Sequence, residues 1–128
     1  MIIKSDIKNI SLVENLIDDL VEKHEVDSDL YGKVLLAVVE GVNNAILHGN
    51  KSNKEKDVII DYDLNPEKIQ FNILDQGQGF NYKNLPDPTL PENLERVSGR
   101  GIFLMRHLAD EIQFNELGNE VRLTFNVG

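Results

Sequence analysis

The stretch of sequence that decides the fold is EGVNNAILHG, residues 40–49, which lies in a run of apolar residues with helical spacing. In a helix, Glu40 and Asn44 project from the same face because they are four residues apart, and His48 follows one turn later. A carboxylate among apolar residues needs a partner or a cleft. The pattern therefore predicts either a helix with one solvent-exposed edge or a helix whose polar face binds a ligand.

Two glycine-containing turns have the composition of ligand-binding turns. DQGQGF, residues 75–80, follows a predicted strand, and GRGIFLM, residues 99–105, begins a predicted helix. The Asp75 carboxylate can accept a hydrogen bond from the amino group of adenine, and Gly77 and Gly79 allow the backbone to approach a ligand closely. Backbone N–H groups at a helix N-terminus suit a phosphate, and the candidates there are Gly99, Arg100, Gly101 and Ile102. A nucleotide with its Mg2+ fits all three motifs.

The order and spacing of the three motifs resemble the N, G1 and G2 boxes of the GHKL ATPases, the superfamily of gyrase, the heat-shock chaperones, histidine kinases and the mismatch-repair MutL proteins. Within it, the chain is most similar to the small bacterial anti-sigma-factor serine/threonine kinases. The resemblance implies that Glu40 orients or deprotonates the attacking hydroxyl. It also implies that Asn44 holds Mg2+, because residues 44–49 match the family's Asn-Ala-x-x-His-Gly run, although Asn43 could share that role.

The resemblance further implies a function and its partners. A kinase of this type binds ATP or ADP, sequesters a sigma factor, and phosphorylates a serine or threonine of a small antagonist protein. We expect a homodimer in the cytoplasm. Two alternatives stay open: a binding module that holds ATP without phosphotransfer, and a slow ATP hydrolase that acts as a switch. The presence of Glu40 favours catalysis over the binding module.

A histidine and three basic residues lie near the motifs. His48 lies at a helix end and is interpreted as a structural residue rather than a catalytic one. Three basic residues, Arg96, Arg100 and Lys51, compete for the γ-phosphate. Arg96 precedes the second glycine turn as it does in the anti-sigma kinases, but Val97 intervenes between it and Ser98, so the sequence does not choose among the three.

Composition excludes several classes of protein. The chain has 128 residues, no cysteine and a formal net charge of -9. The absence of cysteine removes disulfides and thiolate metal sites, and the acidic balance argues against a nucleic-acid surface. No apolar run approaches the ~18 residues of a membrane span, and no signal-peptide pattern begins the chain. We therefore expect a soluble protein with one domain over residues 1–128, without membrane or nucleic-acid partners.

The remaining patterns predict an α+β fold, a two-layer sandwich in which a mostly antiparallel mixed sheet packs on about three helices. Helices are expected over 12–24, from a capping box at Ser11 and Glu14, over 28–48, ended by Gly49 and Asn50 in left-handed conformation, and over 101–110. Hairpins are expected over 58–73 and 111–127, and residues 2–7 form a strand or an extended arm. Residues 76–98 hold three prolines and predict a lid or functional loop.

Overall fold

The computed structural model describes residues 1–77 and 97–127, with side chains at all of these except 97–100. Five strands and three helices make up this part of the chain. The strands are β1 (Ile2–Lys4), β2 (Asp57–Leu64), β3 (Lys68–Leu74), β4 (Glu111–Phe114) and β5 (Glu120–Asn126). The helices are α1 (Ile10–Lys23), α2 (Ser28–Asn44) and α3 (Val97–Leu108).

The strands form one sheet in the order β1-β2-β3-β5-β4. Every strand pair in the described ranges is antiparallel, so the parallel pairing of a mixed sheet does not occur there. Short turns explain two of these pairs, β2 with β3 and β4 with β5, because adjacent strands joined by a few residues must run in opposite directions. Between β2 and β3, the side chain of Asn65 accepts hydrogen bonds from the N–H groups of Glu67 (2.9 Å) and Lys68 (2.8 Å).

The core lies between one face of the sheet and the helices, which confirms the predicted α+β fold. Alternate residues of β2, β3 and β5 are buried, and so are the apolar faces of α1 and α2. This alternation places the core residues on one face of each strand. Among the most buried are Ile60, Phe71, Ile73, Leu123 and Phe125 from the sheet and Val13, Ile17, Val38, Val42 and Ile46 from the helical layer.

The second helix ends differently from the prediction. Asp27 caps its start by accepting a hydrogen bond from the N–H of Asp29 (2.7 Å). Regular α-helix stops at Asn44, and a π-helical turn covers Ala45–Gly49. The predicted left-handed pair was wrong: Asn50 has φ -90, whereas Lys51 and Ser52 have φ 52 and 57. The wider turn delays the reversal of the chain, because the N–H of Asn50 bonds to the carbonyl of Ala45, five residues earlier (2.8 Å).

The other two helices begin earlier than predicted. A short 3-10 turn over Ile7–Asn9 leads directly into α1, and Ser11 lies inside the helix with its hydroxyl donating to the carbonyl of Lys8 (3.1 Å). The predicted capping box at Ser11 is therefore wrong. The third helix begins at Val97 instead of Gly101. Most of the predicted loop over 76–98 lies outside the described residues, and so do Gly79 and Arg96.

One segment of the described chain, Ser28–Gly49, is long and apolar enough to cross a membrane by length and composition alone. This observation is weak evidence, because the core helix of a soluble protein meets the same criteria. In this fold the segment contributes Val34, Ala37, Val38 and Val42 to the core.

Candidate functional site

The position of α2 against the sheet depends on Gly41. A Cβ atom added there would lie 2.6 Å from Cδ1 of Ile73 on β3 and 3.3 Å from Sδ of Met105 on α3. Both neighbours are fully buried. Since such distances are shorter than van der Waals contact, only glycine allows α2, β3 and α3 to meet this closely. Gly41 thereby fixes the depth at which the next turn of α2 lies between the sheet and α3.

The amide group of Asn44 is buried without a described partner. Its Oδ1 and Nδ2 atoms make no hydrogen bond to any described residue. The Oδ1 of Asn43 is in the same situation. Buried amides in folded proteins are nearly always hydrogen-bonded, so an unpaired one calls for an explanation. A bound ligand or ion that completes the group is one such explanation.

Gly101 of α3 lies directly against this amide. A Cβ atom at position 101 would be 2.6 Å from Nδ2 and 3.0 Å from Oδ1 of Asn44. Gly101 was predicted at a helix N-terminus, but α3 begins at Val97. Gly99 therefore lies in the first helical turn, where N–H groups lack intrahelical partners, and Gly101 lies one turn in. Its missing side chain leaves room for the Asn44 amide.

Glu40 lies one turn before Asn44 on α2 and is partly exposed. The four-residue spacing places both side chains on the same face of the helix. His48, on the π-helical turn, is exposed. The helix therefore presents a carboxylate and a buried amide toward the same side.

Asp75 directly follows β3 and begins a turn, and a backbone N–H group of that turn fixes its carboxylate. Its Oδ1 accepts a hydrogen bond from the N–H of Gly77 (2.7 Å). Partial burial raises the pKa of Asp75 above its ordinary value, while the Gly77 hydrogen bond and the charge of Lys56 act in the opposite direction. The backbone is held by Asn119, whose carbonyl accepts from the Asp75 N–H (2.9 Å) and whose amide donates to the Asp75 carbonyl (3.3 Å).

Gly49, at the end of the π-helical turn, lies against the Asp75 carboxylate, a contact that the sequence did not predict. A Cβ atom there would collide with the Asp75 carboxylate, at 2.7 Å from Oδ1 and closer still to Oδ2. At Gly77, a Cβ atom would collide with the carbonyl oxygen of Gly49 and lie 2.9 Å from Oδ1 of Asp75. The two glycines allow the end of the helix to contact the Asp75 turn. The only signal in the sequence was that Gly49 ends the Asn-Ala-x-x-His-Gly run.

The two contacts, Asn44 with Gly101 and Gly49 with Asp75, mark two ends of one region along α2. Gly49 lies five positions after Asn44, which corresponds to about 7.5 Å along an α-helix axis. Lys51 lies two residues after Gly49, and therefore near the Asp75 end of this region. Arg96 and the side chain of Arg100 lie outside the described residues.

The donor set suits a metal that arrives with phosphates. Within residues 1–77 and 97–127, no group of three or more histidines and carboxylates could hold an ion by itself. Mg2+ usually takes only one or two protein ligands and retains waters and substrate phosphates. The unpaired Oδ1 of Asn44 is a neutral oxygen of the kind that Mg2+ accepts, so these residues fit the ion.

Comparison with known proteins identifies the family of the chain. The family described as histidine kinase-like ATPase domain matches residues 3–125, almost the whole chain. The chain belongs to the histidine kinase-like ATPase family. Nucleotide binding is the property that this ATPase family shares.

Relatives of this ATPase domain include protein kinases. The Serine-protein kinase RsbW of Staphylococcus aureus strain JH9 and that of strain Newman are each 33% identical to the chain, over 70% of this chain and 61% of the kinase. The chain thus spans less than two thirds of the length of these kinases. A solved histidine kinase domain, from the Erythrobacter litoralis EL346 blue-light activated histidine kinase, has a TM-score of 0.52 at 15% identity. The match covers 94% of this chain and 59% of the histidine kinase chain, and it shows a likeness of fold alone.

Proposed function

We propose that this histidine kinase-like ATPase domain is an anti-sigma-factor-type serine/threonine kinase, which binds ATP with Mg2+ and phosphorylates a small antagonist protein. The observation that carries the proposal is the buried, unpaired amide of Asn44, which lies against Gly101 and one turn from Glu40. A buried polar group without a partner is costly unless a ligand completes it. The similarity to serine-protein kinases supports the choice of a serine or threonine as acceptor.

The nucleotide would lie along α2 from Asp75 to Asn44. The Asp75 carboxylate accepts a hydrogen bond from the 6-amino group of adenine, a group that guanine lacks at that position. Gly77 and Gly79 allow the backbone to approach the base. The phosphates lie near the start of α3, where N–H groups and the helix dipole favour anions; the residues proposed there are Gly99, Arg100, Gly101 and Ile102.

Asn44 would hold the Mg2+, with Asn43 beside it. When bound, the ion neutralises phosphate charge and orients the γ-phosphate for transfer. An amide ligand suits a protein with a net charge of -9, because it adds no further negative charge next to an anionic substrate.

Glu40 would act on the attacking hydroxyl. The serine or threonine oxygen forms a bond to the γ-phosphorus, and the bond from that phosphorus to the bridging β–γ oxygen breaks, so that ADP leaves. The hydroxyl proton passes to the Glu40 carboxylate, which acts as general base or holds the hydroxyl in line. Partial exposure of Glu40 leaves it accessible to a protein substrate.

The partners and the setting complete the proposal. The chain binds a sigma factor and an antagonist protein, forms a homodimer, acts in the cytoplasm, and constitutes a single domain over residues 1–128. The acidic net charge disfavours nucleic acid as a direct partner.

Phosphotransfer to candidate antagonist proteins tests the proposal. With labelled ATP and Mg2+, label should appear on a serine or threonine of one of them. Glu40→Gln keeps the shape but loses the base, so transfer should fall by roughly 10²–10⁴-fold while nucleotide affinity changes only a few-fold. Asn44→Ala should weaken both Mg-nucleotide binding and transfer. The matched control is Asp29→Asn, the same kind of change on an exposed acid in the first turn of α2, which should leave transfer unchanged.

The contrary outcomes separate the candidate functions. Full phosphotransfer by Glu40→Gln would make Glu40 a structural residue. If the wild type sequesters a sigma factor and transfers no label to any candidate, the chain is an ATP-binding module. Release of phosphate without labelled protein would indicate a slow ATP hydrolase.

A further inference from the structure

Asn50 has a fully buried polar side chain next to the Asp75 turn. It directly follows the π-helical turn and is 1% exposed. Its amide makes three hydrogen bonds, each to a different segment of the chain. A buried amide with all of these bonds made is rigid, since any rotation would leave groups unpaired.

The acceptor side of this amide holds the turn that carries Asp75. Oδ1 of Asn50 accepts a hydrogen bond from the N–H of Gln76 (2.8 Å), the residue between Asp75 and Gly77. The side chain of Gln76 in turn accepts a hydrogen bond from the N–H of Asp57 at the start of β2 (2.7 Å). The backbone next to Asp75 is therefore fixed by Asn50 and β2 on one side and by Asn119 on the other.

The donor side connects the same amide to the first two strands. Nδ2 of Asn50 donates to Oγ of Ser5 (2.7 Å) and to the carbonyl of Asp57 (2.9 Å). The Ser5 hydroxyl donates to the carbonyl of Lys56 (2.8 Å), so it can only accept from Asn50. This arrangement fixes which end of the amide faces Gln76, because the two acceptors on one side require the NH2 group there.

We propose that Asn50 is a positioning residue for base selectivity: by holding the Gln76 N–H, it fixes the Asp75 carboxylate where it accepts a hydrogen bond from the 6-amino group of adenine. The inference rests on the proposed function, since it assumes that Asp75 contacts the base. Asn50 does not touch the nucleotide in this proposal. It acts through the backbone of residues 75–77, which also carries the Gly77 N–H that Asp75 accepts.

The test compares two purine nucleotides that differ at the group in question. Inosine triphosphate has an oxygen where ATP has the 6-amino group, so the ratio of the ATP and inosine triphosphate affinities measures the Asp75 contact. Asn50→Ala leaves the Gln76 N–H unpaired, and the turn should lose its fixed position. We expect ATP affinity to fall about tenfold, the scale of one buried hydrogen bond. Inosine triphosphate affinity should stay nearly constant, so the ratio of the two affinities should fall by the same factor.

Two further variants separate positioning from general stability. Ser5→Ala removes a buried hydrogen bond from the same network without touching Gln76, so it should lower the melting temperature and leave the ratio unchanged. Asn50→Asp keeps an acceptor for the Gln76 N–H and should retain more of the ratio than Asn50→Ala, despite a loss of stability. If Asn50→Ala does not fold, Asn50→Ser, whose side chain is too short to reach the Gln76 N–H, takes its place with the same expectation.

Calorimetry on the full chain decides the matter. An unchanged ratio in folded Asn50→Ala, or an equal loss of ratio in Ser5→Ala, would overturn the positioning role while the proposed function stands. If the wild type itself does not distinguish ATP from inosine triphosphate, the adenine contact of Asp75 fails, and the inference falls with it.

Discussion

Asp75 is partly buried, and burial disfavours the charged form of its carboxyl group. Burial raises the pKa of this carboxyl, and the Gly77 N–H and the nearby Lys56 oppose that effect. A residue needed only for folding would be better neutral here, since an uncompensated charge weakens the fold. In the proposed function the carboxylate is required as an acceptor for adenine. Asp75 therefore lowers the stability of the fold and strengthens the binding of ATP.

Replacement of Asp75 by Asn tests this conflict. The amide can still accept from the Gly77 N–H, but it presents an NH2 group where adenine also presents one. We expect ATP binding to weaken by about 1.5–3 kcal/mol, the contribution of a hydrogen bond to a charged group. Inosine triphosphate binding should not weaken, because its 6-oxygen can accept from the new NH2 group. Thermal unfolding without nucleotide should show a variant at least as stable as the wild type at neutral pH. A variant that binds ATP as tightly as the wild type would contradict the adenine contact.

The pH dependence of the same pair provides the control. Because the folded-state pKa of Asp75 is raised, its contribution to stability is fully present below the unfolded-state pKa and is lost as pH rises through the folded-state value. The stability advantage of Asp75→Asn should therefore disappear on acidification. The preference of the wild type for ATP should decline over the same range, as the carboxylate becomes protonated, whereas the variant should lack that preference throughout.

The second helix connects the core with both ends of the proposed site. Its apolar face supplies Val38 and Val42 to the core, Asn44 contacts α3, and the π-helical turn brings Gly49 against Asp75. π-helical turns of this kind are rare and often occur at functional sites. Here the turn allows the chain to contact Asp75 before it reverses at Lys51 and Ser52.

Gly41 and Gly32 provide a matched pair on this helix. Gly41→Val would force a branched side chain against the buried Ile73 and Met105, and overpacking of this kind costs about 1–3 kcal/mol of unfolding free energy. At Gly32, no atom lies within 4 Å of an added Cβ. The unfolding free energy of Gly32→Val should therefore stay within about 0.5 kcal/mol of the wild-type value, or rise slightly, because valine is a better helix former than glycine. Chemical denaturation measures both. Equal stability of the two variants would show that α2 does not depend on the close approach at Gly41.

At the scale of the whole molecule, one edge of the sheet is short and apolar. β1 pairs only with β2 in the described chain, and Ile2 on it is 65% exposed. Exposed sheet edges are usually protected by charge, by bulges or by a partner. Lys4 gives some protection through its ion pair with Asp57 (2.8 Å), but Met1 and Ile2 do not.

The expected homodimer leads to a prediction for this edge. Sedimentation at micromolar concentration should show a dimer, and Ile2→Lys should shift it toward monomer because a charge there opposes burial. Leu117→Lys, at an exposed leucine in the turn between β4 and β5, is the control and should leave the dimer intact. A wild-type chain that sediments only as a monomer would rule out the homodimer.

The fold class and the identity of the motifs could be predicted from the sequence because they depend on spacing within short windows. Residues four apart share a helix face and alternate residues share a strand face, whatever the rest of the chain does. Helix ends were predicted less well: the π-helical turn and the early starts of α1 and α3 depend on hydrogen bonds that several local patterns satisfy equally.

By itself, the sequence determined the α+β fold, the face that carries Glu40 and Asn44, and the nucleotide-type motifs. Only the tertiary structure decided that Gly101 lies on the Asn44 amide, that Gly49 lies on the Asp75 carboxylate, and that Asn50 connects Ser5 with Gln76. The physical reason is sequence distance. A periodic pattern arises from neighbours along the chain, whereas each of these contacts joins residues more than 20 positions apart, which meet only after the sheet and helices have packed.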